Sequence, residues 1–351
     1  MLIYLHIPFC DSKCYYCAFN SYVDKFELKN RYMQAIVKQL EAELLLFKPL
    51  KKSIKSLFIG GGTPSTIKPA LYEDFFKLLN PYLKNDAEIT IEANPNSASS
   101  KWLEGMKNLG VNRISFGVQS FDDKKLKFLG RNHNKKTALQ AISNAKKAGF
   151  ENISLDLIYG TTKDSKTLLL KDLKTAKSLP INHLSAYSLT IEENTDFFKT
   201  PNVAKDSLSL AKFFTKEIES LNFPSYEISN FGIYQSVHNL GYWAQNDYIG
   251  IGSGAVGFLK DKRFYPAKEI ESYMQDPTYK EVENLSKEAL HIESVFLGLR
   301  CKLGVKLANF NKRELEKIKI LLESNKLVKK DDRIYNTDYF LSDELALFIT
   351  D

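Results

Sequence analysis

An α/β architecture built on a parallel sheet is what this sequence predicts. Over the first two thirds of its 351 residues, short β-branched or aromatic runs alternate with longer amphipathic segments. The apolar runs are too short and too continuous to be surface helices. Polar residues also follow several of these runs directly, at the strand ends where parallel α/β folds carry their reactive rim.

Strands are expected at Leu2–Ile7, Ser56–Gly60, Glu88–Glu92, Asn112–Gly117, Asn152–Ile158 and His183–Leu189. Helices fill the intervals at Leu28–Phe47, Pro69–Leu83, Ser99–Leu109, Lys135–Ala148 and Ser165–Ser178. Six successive βα units fit one parallel sheet with right-handed crossovers, and periodicity leaves open whether it curls into a partial barrel. After about Pro201 the rhythm changes to a helix at Ala204–Leu221, an aromatic and glycine-rich stretch at Pro224–Phe258, and a Lys/Glu-rich helical region at Ser286–Glu323. A boundary is expected near residue 275, where Asp276-Pro277 breaks the chain. Residues 1–275 would form the large domain, with 201–275 as its extension. Residues 276–351 would form a small helical domain with a short hairpin around Arg333–Tyr335.

Hydrophobic residues make up 44% of the chain and charged residues 26%, which excludes a disordered or collagen-like protein. The net charge of +7 comes from dispersed lysines and requires no nucleic-acid partner. From Lys302 to Arg333, ten Lys or Arg stand against five Asp or Glu, a bias that would draw this surface toward anionic lipid or nucleic acid. Its simpler meaning is a solvated helical face. No apolar run approaches the roughly 20 residues of a membrane span, and the N-terminus enters a strand without a basic and apolar leader. The protein is therefore expected to be cytoplasmic, with at most a peripheral association at the inner membrane face.

Three of the four cysteines, Cys10, Cys14 and Cys17, lie on one loop after the first strand. Thiols so spaced in an intracellular chain point to metal rather than disulfide chemistry. Three thiolates can hold three irons of a [4Fe-4S] cluster and leave the fourth iron open. The competing assignment is a structural zinc site completed by His6, but structural zinc ligands usually come as two separated pairs. Tyr15, Tyr16 and Phe19 are expected to shield a cluster from water. The turn Gly60-Gly61-Gly62-Thr63 is not a phosphate loop, since no Gly-Lys-Ser/Thr follows, and Gly250–Ala255 lacks the βαβ setting of a dinucleotide site. Cys301, alone between Arg300 and Lys302, reads as inert.

The motifs YLHIPFC, GGGTPS, IEANP, SFGVQSF, LGRNH, LDLIYG and HNLGYW, spread in order along the chain, resemble the radical S-adenosylmethionine superfamily. Within it they resemble the oxygen-independent coproporphyrinogen III oxidase group. The resemblance implies a partial (β/α)6 barrel in which Cys10, Cys14 and Cys17 ligate the cluster and S-adenosylmethionine chelates the open iron. It further implies that Tyr4 and the backbone at Tyr16 lie against the cofactor. Gly61, Gly62 and Thr63 would approach its methionyl amino group, where a Cβ would block contact. Glu92, Gln119, Arg131 and Asp156 would meet its methionyl and ribose parts, as their chemistry allows.

Two departures choose among branches. The decarboxylating oxidase has a further cysteine where this chain has Phe19, and an N-terminal extension ahead of the first strand. Their absence, together with His238-Asn239-Leu240-Gly241-Tyr242-Trp243, is similar to the branch of haem chaperones called HemW. That branch implies haem as ligand, respiratory or other haemoproteins as acceptors, and a cofactor-dependent homodimer. In this motif His238 offers an imidazole to iron, while Tyr242 and Trp243 offer flat faces to a porphyrin on a surface. The structural alternative is that His238 and the aromatics simply fill a core. His6, His133, His183 and His291 are weaker ligand candidates, and Val256 stands where the group commonly has histidine. The alternative activity is coproporphyrinogen III oxidase itself, a radical oxidative decarboxylation of propionate side chains. A third possibility is a zinc-stabilised binding protein whose basic C-terminal domain docks on a membrane or nucleic acid.

Overall fold

The computed structural model describes residues 1–205 and 207–351. The six expected βα strands form as β1 (Leu2–Ile7), β2 (Ile54–Gly61), β3 (Leu83–Ala93), β4 (Arg113–Gln119), β5 (Asn152–Tyr159) and β6 (His183–Ser188). They pair in parallel in that order. The helices between them are α1 (Lys29–Phe47), α2 (Glu73–Leu79), α3 (Ser100–Asn108), α4 (Asp123–Phe128), α5 (Lys135–Lys147) and α6 (Lys166–Lys177). Alternation sorts each strand's side chains: Ile3, Leu5 and Ile7 enter the core under the helices. Tyr4 and His6 point the other way, into the barrel.

Three differences from the sequence expectation have local causes. The helix expected over Pro69–Leu83 stops at Leu79, because Pro81 has no N–H to continue it, although Asn80 itself keeps helical angles; Leu83 already begins β3. The short α4 was not foreseen, and Asp122 caps it by accepting from Lys125 N. The helix expected from Ala204 begins at Leu208 (α7, Leu208–Ser220), after a 3-10 turn at Pro201–Val203, and Asp206 lies outside the described residues.

The glycine-rich stretch is more structured than a loop. It contributes β7 (Asn230–Gly232), α8 (Val237–Trp243) and β8 (Tyr248–Ile251), and β8 pairs in parallel with β1 to extend the barrel on that side. Strands β9 (Gly257–Leu259) and β10 (Lys262–Pro266), helix α9 (Ile270–Gln275) and strand β11 (Lys280–Asn284) follow. The whole is an 11-stranded sheet ordered β11-β10-β9-β8-β1-β2-β3-β4-β5-β6-β7. Because β11 pairs antiparallel with β10, the chain leaves this sheet after Asn284 and not at Asp276-Pro277. A separate apolar cluster, including Val295, Leu299, Ile318, Leu321 and Ile349, then gathers α10 (Lys287–Leu299), α11 (Lys312–Glu323) and α12 (Ser342–Thr350). A small sheet of β12 (Val305–Lys306), β13 (Leu327–Lys330) and β14 (Arg333–Asn336) accompanies these helices, with β13 and β14 forming the hairpin.

Candidate functional site

The cysteine loop is fixed at its base by backbone bonds. Cys10 N donates to Tyr22 O at 3.0 Å and Tyr22 N to Pro8 O at 2.7 Å. Asn20 ties the loop to distant chain, its amide donating to Ser253 O and Lys268 O. All three thiols are free. They lie close enough that charge on Cys14 raises the pKa of both Cys10 and Cys17, although burial is the larger cause for each.

A chain of polar contacts joins the first two thiols. Thr63 Oγ1 donates to Cys10 Sγ at 3.4 Å, Asn94 Nδ2 donates to Thr63 Oγ1 at 3.1 Å, and Arg131 bridges Asn94 Oδ1 to Cys14 Sγ, the latter at 3.3 Å. Arg131 also donates to Gly117 O at 2.6 Å. A positive group on a thiolate is favourable electrostatically, and although burial opposes the charge, the neighbouring Tyr16 and Cys14 raise the Arg131 pKa. Asn94 was not singled out from the sequence, although it sits in the IEANP motif; nothing in its residue type separates it from an ordinary turn asparagine.

Gly61 and Gly62 close the other side. Gly61 has φ +114° and a Cβ there would fall 2.6 Å from the His6 ring; at Gly62 a Cβ would meet Cys10 Sγ and Phe9 O at 3.0 Å. The turn must be glycine to lie this near the thiol. Gly61 N–H donates to Glu92 Oε2 at 3.2 Å. Burial, and then the charge of Asp156, push the Glu92 carboxyl up to about 8. Asp156, which accepts from Ser115 Oγ at 3.2 Å, is itself raised by burial. Glu92 and Asp156, on strands either side of β4, thus lie close enough for charge on Asp156 to act on Glu92. Gln119 ends β4 with φ +67°, a left-handed conformation rare for its type, and places its amide beside Gly117.

The raised Glu92 value has a consequence for stability. The folded state keeps a proton on this group that the unfolded chain releases above about pH 4.5, so its contribution to stability falls between about pH 4.5 and 8 and is constant above. Thermal melts of Glu92→Gln across that window are expected to decline less steeply with pH than wild type; parallel profiles would contradict the assignment.

The donor set fits a cluster better than a zinc ion. His6 has both ring nitrogens engaged: Tyr4 Oη lies 2.9 Å from Nδ1 and Asn20 O 2.8 Å from Nε2. Burial lowers its pKa to about 4, so it is the neutral ring that spans these partners and no lone pair is left for a metal. The aromatic shield is not formed as expected. Phe19 is 66% exposed and Tyr15 42%, because the loop tip stands at the open mouth of the barrel; Tyr16 packs inward with Leu129 and Ile158.

At the opposite end of the barrel, α8 forms the floor. Glu88 of β3 accepts from Val237 N and His238 N, each at 2.9 Å, from Tyr234 Oη at 2.8 Å and from Ser236 Oγ at 3.3 Å. Gly241 is the residue that lets α8 sit on β1, since a Cβ there would fall 2.4 Å from Leu2 Cδ1. His238 is thereby 1% exposed, which corrects the expectation of a surface imidazole. Its Nδ1 lies 2.9 Å from Ser56 Oγ, and its ring packs on Phe58 and edge-on to Tyr242 at 4.7 Å. Burial lowers its pKa to about 3. Its Nε2 has no hydrogen-bond partner among the described residues.

His238 lines a cleft of about 360 Å³ with Tyr4, Phe58, Asn239, Tyr242, Tyr248 and Val256. A second cleft of about 160 Å³ adjoins it through Tyr242 and Tyr248 and reaches Arg263 and Glu293. Tyr4 therefore links the two ends, touching His6 with its hydroxyl and the cleft with its ring. Trp243 is not part of this cleft; its indole bonds to the buried carboxyl of Glu227, which burial raises to about 7. The other histidines are committed elsewhere: His183 to Ser154 and Tyr226, His133 to Val118 O, and His291 to Glu314. Sequence patterning alone did not mark Ser56, Phe58 or Glu88, which read as ordinary strand residues, nor Tyr248, which lies in the glycine-rich stretch.

A three-cysteine loop after the first strand of a parallel partial barrel defines a class, the radical S-adenosylmethionine fold. The Radical SAM superfamily model matches residues 4–173. A solved structure of coproporphyrinogen III oxidase (HemN) from Escherichia coli superposes with a TM-score of 0.82, covering 99% of this chain and 90% of that one at 21% identity, a likeness of fold alone. The heme chaperone HemW of Bacillus subtilis is 33% identical over 88% of this chain and 85% of its own length. That of Lactococcus lactis is 31% identical over 95% and 93%, and that of Escherichia coli 41% identical over 73% and 69%. The chain belongs to the HemW family of the radical SAM superfamily. No described helix is long and apolar enough to cross a membrane.

Proposed function

We propose that this protein is a haem chaperone: it holds a [4Fe-4S] cluster with S-adenosylmethionine at the barrel mouth, binds haem in the aromatic cleft at the barrel floor, and passes it to acceptor haemoproteins. The observation that carries the reading is His238 Nε2, a buried imidazole nitrogen without a partner on the wall of that cleft. When Nδ1–H donates to Ser56 Oγ, Nε2 keeps its lone pair, which is the tautomer that ligates iron. The ring stays neutral, so protons do not compete for it near neutral pH. Tyr4, Phe58, Tyr242 and Tyr248 supply faces for a porphyrin, and Arg263 at the outer end supplies a cation for its carboxylates.

At the mouth, Cys10, Cys14 and Cys17 would ligate the cluster, which when bound chelates and activates S-adenosylmethionine. The residues around it then act by position and charge. Arg131 steadies the Cys14 thiolate, Gly61 and Gly62 leave room for the methionyl group, and Glu92 with Asp156 receive its cationic part, which would draw Glu92 back to its carboxylate form. Tyr16, Thr63 and Gln119 complete the wall.

Anaerobically reconstituted protein, divided between a haem titration and a coproporphyrinogen III turnover assay, tests the reading. Wild type is expected to bind haem stoichiometrically, and His238→Ala to bind it at least about tenfold more weakly, as loss of an axial ligand implies. No protoporphyrinogen should form. Unchanged affinity in His238→Ala would remove this residue as ligand, and steady turnover without haem binding would make the protein the oxidase.

A further inference from the structure

The C-terminal corner of α1 carries apolar side chains that its function in the barrel does not use. Leu45 is 75% exposed, Leu46 46% and, beyond the helix end, Leu50 79%. The helix stops at Phe47 with Lys48 in a left-handed conformation at φ 47°, and Lys52 repeats this at φ 56°. The chain then makes a tight turn at Lys51 and Lys52, closed by Ser53 Oγ donating to Leu50 O at 2.6 Å, with Leu50 just before it. Leu45 and Leu50 protrude, three-quarters or more exposed, and neither lines either of the clefts described above.

The charge of the same corner has one sign. The segment Leu44–Lys55 contains Lys48, Lys51, Lys52 and Lys55 and no acidic residue, and all four lysines are exposed. Lys84 at the start of β3 is adjacent through the pairing of Ile54 with Leu83, and among the described residues it alone of these lysines has a carboxylate within 4 Å, Asp86 at 3.9 Å. Along α1 the nearest acids are Glu43, buried and paired with Lys280, and the exposed Glu41, one turn back from Leu45.

We infer that this corner is a docking surface for an anionic phospholipid bilayer, with Leu45, Leu46 and Leu50 entering the interface and the surrounding lysines meeting the headgroups. A protruding leucine suits a fluid interface, which deforms around it; a folded protein partner would need a matching pocket. Lysines beside it can lay their alkyl stems along the apolar layer and keep the ammonium among phosphates. The inference is independent of the haem reading and assigns a different surface from the Lys302–Arg333 helix face. It also orients the molecule. The corner lies at the N-terminal ends of β1 to β3, where Lys55 N donates to Met1 O and Lys52 N to Pro81 O, so the cysteine mouth would point away from the bilayer and the α8 floor toward it.

Sedimentation of the full chain with phosphatidylcholine vesicles, with and without phosphatidylglycerol, tests this. Wild type should sediment with the anionic vesicles only and release as salt rises. Lys51→Glu/Lys52→Glu should weaken binding by about fivefold for each lysine lost or more, and Leu45→Ser/Leu50→Ser should weaken it without changing its salt dependence. These side chains are exposed, so far-ultraviolet circular dichroism should match wild type. The pair Lys312→Glu/Arg313→Glu on α11 should bind as wild type. Failure of wild type to bind anionic vesicles, equal binding to neutral vesicles, or a loss seen only in the α11 variant would each overturn the assignment.

Discussion

Cys14→Ala protein, reconstituted anaerobically with iron and sulfide, is expected to lose the broad visible absorbance of a [4Fe-4S] cluster and most of its bound iron. Cys14 is the thiol that Arg131 contacts, and its charge is felt by both other thiols. Substituting groups that merely orient metal ligands costs about 10- to 100-fold in metal affinity, so removal of a ligand should cost at least that. Cys301→Ala serves as the comparison. Its thiol is buried against Gly298 O, just past the end of α10, and burial holds it up at about 11, so iron content should be unchanged. Equal iron in the Cys14 and Cys301 variants would mean that the loop does not hold a cluster. Retention of one zinc per chain would revive the structural-zinc assignment.

Glu88→Gln should be the most destabilising conservative change at the barrel floor. One carboxylate accepts four hydrogen bonds there, two of them from the first backbone amides of α8. An amide keeps one acceptor oxygen and turns two N–H groups toward donors, leaving buried groups unpaired. With hydrogen bonds to charged groups worth about 1.5–3 kcal/mol, a net loss of about 3 kcal/mol is expected, seen as a fall of several degrees in Tm. Because Glu88 fixes the start of the helix that carries His238, haem affinity should fall with it while iron content stays constant. A loss within about 0.5 kcal/mol, the range of ordinary surface changes, would show that α8 is held by packing on Leu2 alone.

The fold was legible where periodicity and chain breakers agree. The β1 to β6 alternation, the helices between them and the cysteine loop all follow from local pattern. Strand β8 was hidden because Tyr248-Ile249-Gly250-Ile251 is too short to stand out from a glycine-rich stretch, and only its pairing with β1 makes it a strand. The helix over His238-Asn239-Leu240-Gly241 was hidden by its glycine, whose reason is the contact with Leu2 and not any local preference. At the site, residue types announced Cys10, Cys14, Cys17, Gly61 and Gly62. The partners that make them effective, Asn94, Asn20 and Glu88, act through distances across the barrel that no window of sequence contains. Trp243 shows the reverse: it stands in a motif yet turns its indole to Glu227 and away from the cleft.

Asn20 holds the cysteine loop to Ser253 and Lys268, more than two hundred residues later in the chain. On the ribosome the three thiols therefore emerge well before the clamp that shapes their loop. At about 5–20 residues per second the interval is roughly 10–50 s, during which the loop has ligands but no finished cradle. Iron delivered in that interval would meet three loose, reduced thiols on an open strand. In the proposed function, a cluster would therefore have to enter after the sheet has closed, when the loop has its final shape.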